Sequence, residues 1–129
     1  MPAMTPSGRK PTDAELAILR VLWSRGPSTV RQVTDDLERE SGYTTVLKLL
    51  QIMTEKGLVV RDETARTHVY QATFSEGQTQ RQLITDLLDR AFDGSAAKLV
   101  MQALASKKTS PAELEEIRRL LNKHRGGSR

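Results

Sequence analysis

Between residues 12 and 74 the hydrophobic pattern changes period, and that change limits the fold more than any property of the whole chain. In "PTDAELAILRVLW" the apolar residues Leu16, Leu19, Leu22 and Trp23 recur at helical spacing with Ile18 beside them. Thr12 or Asp13 can cap this helix, and Glu15 puts negative charge in its first turn. Gly26-Pro27 cannot continue it. Ser28 or Thr29 then caps a second helix whose buried face is Val30, Val33 and Leu37, broken at Glu40-Ser41-Gly42. A third helix runs from about Thr44 to Lys56, with Val46, Leu49, Leu50 and Met53 at i, i+3, i+4 and i+7 and Gly57 as its stop. After Gly57 the pattern shifts. "LVVRD" and "HVYQAT" read as two short strands rich in β-branched residues, joined by a polar turn from Glu63 to Thr67.

From Ser75 onward only helices are predicted. Ser75 caps one with Gln80, Ile84, Leu87, Leu88 and Ala91 along a face. A second carries Leu99, Val100, Ala103 and Leu104. Ser110 caps a third with Pro111 at its first position, Glu113 in its first turn, and Leu114, Ile117, Leu120 and Leu121 as its apolar face. About 50 residues cannot bury three leucine-rich faces against one another, so a partner surface is implied, most simply the same helices of a second copy. The expected fold is mainly α (α+β): a flexible tail over 1–11, a winged helix-turn-helix domain over 12–74, a helical dimerisation domain over 75–124 and a frayed tail over 125–129.

Composition narrows the function. The 129 residues contain no cysteine, which removes disulfides, thiolate metal sites and cysteine nucleophiles. No apolar run approaches the length of a membrane span, and "MPAMTPSGRK" lacks the apolar core of a signal peptide, so a cytoplasmic protein without membrane insertion is expected. His68, placed on a strand, and His124 are far apart, and no phosphate-binding loop, HxxxH or nucleophile elbow occurs. No catalytic residue, metal or cofactor is therefore assigned, and the chain is not expected to be an enzyme.

Net charge is +4, made up of +1 over residues 1–74 and +3 over 75–129, a weak pointer to nucleic acid by itself. The local distribution says more. Asp35, Asp36, Glu38 and Glu40 crowd the second helix, a solvated surface rather than a catalytic pair, whereas Ser41 to Thr54 has no acid. The third helix also begins with Tyr43-Thr44-Thr45, poor helix formers. In a helix-turn-helix the third helix lies in the major groove of double-stranded DNA with its N-terminal residues at base edges. There a threonine hydroxyl can bond a base or phosphate while its methyl meets thymine. Tyr43 can donate to a phosphate, and Lys48 can reach a guanine or a phosphate. Arg66 near the tip of the turn, Arg31 at the start of the second helix and Arg61 can meet the backbone or be ordinary solvated charges. Two other readings stand beside this one. Tyr-Thr-Thr can simply cap the helix, with Tyr43 packed on its neighbours, and a winged helix can serve as a protein-binding module.

The segments "DAELAILRVLW", "TVRQVTDDL", "YTTVLKLLQIMTEKGLV" and "HVYQAT", in this order, resemble the penicillinase and methicillin-resistance repressor family (BlaI/MecI, with the copper-responsive CopY repressors as relatives). The resemblance runs from about Thr12 to His124 and is most specific from Tyr43 to Tyr70. It implies a homodimeric transcriptional repressor on an inverted-repeat operator, with Thr44, Thr45 and Lys48 on the DNA-reading helix and Arg66 in the wing. It also implies interlocking C-terminal helices. In the family's β-lactam-responsive members a BlaR-type membrane sensor protease releases the repressor by a cut in the dimerisation region. The corresponding bond here lies near Gln102 and Ala103, where the Asn-Phe pair of those members is absent. The C-terminal cysteine motif of the copper-responsive members is absent too.

Overall fold

The structure, a computed structural model, describes residues 10–37, 41–106 and 108–127. Its elements are α1 (Asp13–Arg25), α2 (Val30–Asp36), α3 (Tyr43–Lys56), β1 (Val59–Asp62), β2 (Val69–Ala72), α4 (Glu76–Ala91), α5 (Ala96–Ser106) and α6 (Pro111–Gly127). The chain divides into two compact units, one up to Asp86 and one from Leu87. That division falls inside α4.

Local chemistry sets the helix boundaries. Thr12 is the N-cap of α1 in a capping box: its hydroxyl accepts from the Glu15 N–H, and the Glu15 carboxylate accepts from the Thr12 N–H. Thr29 and Gln32 form the same box at α2, and Ser75 and Gln78 at α4. Ser95 and Ser110 accept from the third amide of α5 and α6. Gly57 ends α3 in the left-handed conformation (φ 83°), and its N–H donates to the carbonyls of Met53 and Thr54. At the end of α1, Gly26 takes φ 95° and ψ −167°, a region open essentially to glycine alone.

Those terminators hold three helices around one core. Ile18, Leu19 and Leu22 of α1 meet Val30 and Val33 of α2, Val46, Leu50 and Met53 of α3, and Leu58, Val59 and Tyr70 from the ribbon. The expected stripe of α3 is thus the buried one, with Leu49 at its edge half-buried. β1 and β2 pair antiparallel, Val59 opposite Ala72 and Asp62 opposite Val69. Ser28, buried just past Gly26-Pro27, bonds Tyr70 through both backbone groups (2.9 and 2.8 Å). This bridge fastens the ribbon to the α1–α2 connection.

Several expectations are corrected. α2 ends at Asp36 because Leu37 turns extended (ψ 134°), earlier than the predicted break at 40–42; Glu38 and Glu40 lie outside the described residues. α3 begins at Tyr43, one residue early. His68 is exposed in the loop ahead of β2 and not on the strand, since pairing starts at Val69. α6 continues through residues 125–127, past the expected end at His124. Lys10 belongs to the folded unit, its ammonium 2.9 Å from Asp86 of α4.

Leu88 aside, the covered residues of α4 are not the ones its apolar pattern marked. Thr79 is buried and Leu83 and Asp86 are half-buried, while Gln80, Ile84, Leu87 and Ala91 are exposed. In the second unit Val100, Met101 and Leu104 of α5, and Leu114, Leu120 and Leu121 of α6, are exposed as well. Leu88, Leu99 and Ile117 are half-buried. No helix among the described residues is long and apolar enough to cross a membrane.

Candidate nucleic-acid interface

The two ends of α3 are built differently. Its last turn is fixed on α1: the Lys56 ammonium lies 2.7 Å from Oε1 of Glu15, a carboxylate only 2 % exposed. Glu15 therefore does more than favour the start of α1. The first turn of α3, by contrast, is bare. The N-cap is Gly42, and no side chain accepts from the free amides of Tyr43, Thr44 and Thr45. A Cβ at Gly42 would meet nothing within 4 Å, so a capping serine or aspartate would fit. Every other helix is capped by Ser or Thr.

This geometry answers the capping half of the alternative reading of Tyr-Thr-Thr, while its other half, Tyr43 packed on a neighbour, is met in part by Arg31. The residues lie inside the first turn and cap nothing, and all three are exposed. The hydroxyls of Thr44 and Thr45 and the Lys48 ammonium have no hydrogen-bond or ionic partner among the described residues, whereas Thr34 and Thr54 bond back to the carbonyls of Val30 and Leu50. With 3.6 residues per turn, Lys48 sits near the middle of the face opposite Val46, Leu50 and Met53.

Tyr43 is in contact with a cation. The Arg31 guanidinium stands 5.2 Å from its ring centroid, a cation–π distance that ties the start of α2 to the start of α3. Both residues line a groove completed by Thr29, Leu47, Arg66 and His68. Arg66, in the loop between the strands, is exposed and has no ionic partner among the described residues. The structure thus brings Arg31, Tyr43 and Arg66 around one groove, with Thr44, Thr45 and Lys48 on the adjoining helix face.

Arg61 belongs to a different environment. It donates to Glu63 at 2.7 Å, and the Tyr70 side chain, followed by Glu63, raises its pKa further above the ordinary guanidinium value. Its guanidinium is already engaged by Glu63, which makes it a weaker candidate for phosphate contact than Arg66. Arg25 is occupied in the same way by Asp36, whose carboxyl it holds below its usual range. Asp62 accepts from the N–H and hydroxyl of Thr64 (2.9 and 2.8 Å), and these bonds lower its pKa while shaping the turn that carries Arg66. Among the described residues no three acidic or histidine side chains converge as a metal would require.

A family model described as penicillinase repressor matches residues 11–123. The chain belongs to the penicillinase repressor family. It is 32 % identical to the transcriptional regulator BlaI of Mycobacterium tuberculosis, over 84 % of this chain and 80 % of that protein. Identity is 23 % to the penicillinase repressor of Bacillus licheniformis (88 % and 91 % covered) and 18 % to the methicillin resistance regulatory protein MecI of Staphylococcus aureus (87 % and 93 %). The family match spans both compact units, so the C-terminal helices are included in the likeness.

Sequence reasoning passed over two features of this family member. The Arg31–Tyr43 stack joins residues on different helices and has no local signature. Gln51, exposed on the same side of α3 as Lys48, was legible from helical spacing once the buried stripe was known.

Proposed function

We propose that the chain is a transcriptional repressor that binds double-stranded operator DNA as a homodimer. The observation that carries this reading is the exposed face of α3, where Thr44, Thr45 and Lys48 have no partner among the described residues, opposite the buried Val46, Leu50 and Met53. Polar groups free of internal bonds, on a helix start without a side-chain cap, suit base edges and phosphates. Arg31, Tyr43 and Arg66 flank this face as backbone contacts. The names of the family and of its relatives support the repressor role.

Residues 12–74 are the DNA-binding part in this reading and 75–124 the dimerisation part. The surface for a second copy is Leu87, Leu88, Leu99, Val100, Leu104, Leu114, Ile117, Leu120 and Leu121. Most of these are exposed in a single chain, and such surface calls for a partner. Pairing two half-sites gains affinity through linkage, so anything that separates the copies releases DNA. A protease of the BlaR type acting near Gln102 and Ala103, both exposed on α5, would do this.

The test is a gel shift on the DNA upstream of the protein's own gene, with random competitor, at several salt concentrations. A specific complex whose affinity falls log-linearly with salt is expected, and Thr45→Ala and Lys48→Ala should each weaken it without changing the dimer. No specific complex, even after selection from random DNA, would overturn the reading in favour of a protein-binding module.

A further inference from the structure

Gln51 lies seven residues beyond Thr44, about 10 Å further along α3, roughly three base-pair steps. Around the helix it is about 60° from Lys48, within the same exposed arc. Its carboxamide makes no hydrogen bond among the described residues, whereas those of Gln32 and Gln78 are used in capping boxes. Ile52, 36 % exposed, is beside it. One turn further Glu55 occupies the arc. A carboxylate there opposes a phosphate backbone, so the stretch that can enter a groove ends at Ile52.

A carboxamide offers one donor and one acceptor side by side, the pattern that matches N7 and the N6 amino group of adenine in the major groove. Isoleucine offers only apolar surface, which suits a thymine methyl. We infer that Gln51 is a specificity-determining residue that reads an adenine in each half-site, with Ile52 against a neighbouring thymine. This rests on the DNA-binding function proposed above and adds to it a second reading position, deeper along α3 than the Tyr-Thr-Thr start.

The experiment is selection from random double-stranded DNA with the full-length protein, Gln51→Ala and Gln51→Arg, followed by competition on sites changed at single positions. The unaltered protein should select one A·T pair per half-site that Gln51→Ala no longer prefers, a loss of about 5- to 150-fold discrimination. Affinity for random DNA and the salt dependence should stay as they were, since no charge changes. Gln51→Arg should switch that position to G·C, because a guanidinium pairs with O6 and N7 of guanine. An unchanged motif for Gln51→Ala would overturn the inference, and so would a uniform loss of affinity on every sequence. If the unaltered protein selects no motif, the DNA-binding function itself fails, a result separable from either of these.

Discussion

The guanidinium of Arg31 stands 5.2 Å from the ring centroid of Tyr43, joining the first turn of α2 to the first turn of α3. Tyr43 is 43 % exposed, so its ring remains open to a ligand while its position is set by a cation that also faces solvent. If both residues meet the DNA backbone, the stack is a ready-made contact. Tyr43→Ala and Arg31→Ala should each weaken binding about equally on all sequences, and Arg31→Ala should reduce the salt slope by about one ion. Tyr43→Phe, which keeps the stack, should lose less than Tyr43→Ala. Fluorescence anisotropy over a salt series checks all three; an unchanged slope for Arg31→Ala would remove it from the interface.

The bare start of α3 predicts opposed effects on stability and function. Gly42→Asp fits sterically and supplies both a cap and a charge that favours the helix N-terminus. Stability should rise by about 0.5–1 kcal/mol in chemical denaturation. DNA affinity should fall, because the new carboxylate occupies the amides and repels phosphate. A variant that is more stable and binds DNA equally well would show that this helix end faces away from the nucleic acid.

Removing Lys56 takes the charged partner away from the Glu15 carboxylate, which is almost fully buried and keeps the Thr12 N–H as a donor. Lys56 is 24 % accessible at its side chain, so Lys56→Met should cost toward the lower end of about 3–5 kcal/mol. Glu15→Gln combined with Lys56→Met should cost less than the sum of the single changes, since the two groups interact directly. Denaturant midpoints of the four proteins complete the cycle; simple additivity would mean that the pair contributes no coupling.

Leu87 and Leu120 are exposed in the single chain, so aspartate at both positions should leave the monomer folded and block self-association. Sedimentation should then report a monomer with an unchanged circular dichroism spectrum, and operator affinity should fall by orders of magnitude as one half-site is lost. A dimer that survives both changes would place the interface elsewhere.

Asp62 links the turn that carries Arg66 to pH. Its carboxyl pKa is lowered from the ordinary 3.8, first by the Thr64 N–H and then by the Thr64 hydroxyl. A folded pKa below the unfolded one means that the stabilisation is fully present above 3.8 and is lost as pH falls through the folded value. Order in the turn should therefore be constant near neutrality and decline only at strongly acid pH, and Asp62→Asn should remove that dependence. NMR signals of Thr64 followed from pH 7 to 2 provide the measurement, and a transition near neutrality would contradict it.

Local signals sufficed for much of this protein. Capping residues, Gly-Pro and Ser-Gly breaks and the switch from helical to alternating periodicity are nearest-neighbour chemistry, so three helices and a ribbon could be read from residues 12–74. The buried stripe of α3 and the exposed positions of Thr44, Thr45 and Lys48 follow from 3.6 residues per turn once one face is apolar. Other features exist only after folding. The partnership of Glu15 with Lys56, the bridge from Ser28 to Tyr70 and the stack of Arg31 on Tyr43 join residues distant in sequence, and no periodicity encodes them. Arg61 and Arg66 are indistinguishable as residue types in a polar segment that also holds Asp62 and Glu63. The ribbon decided between them by placing Glu63 and Tyr70 against Arg61 and leaving Arg66 open. Likewise Thr79 and Leu83 of α4 are covered, whereas Ile84 and Leu87 of its marked face are exposed. Hydrophobic pattern identifies which residues must be covered, while the tertiary packing determines whether this chain covers them.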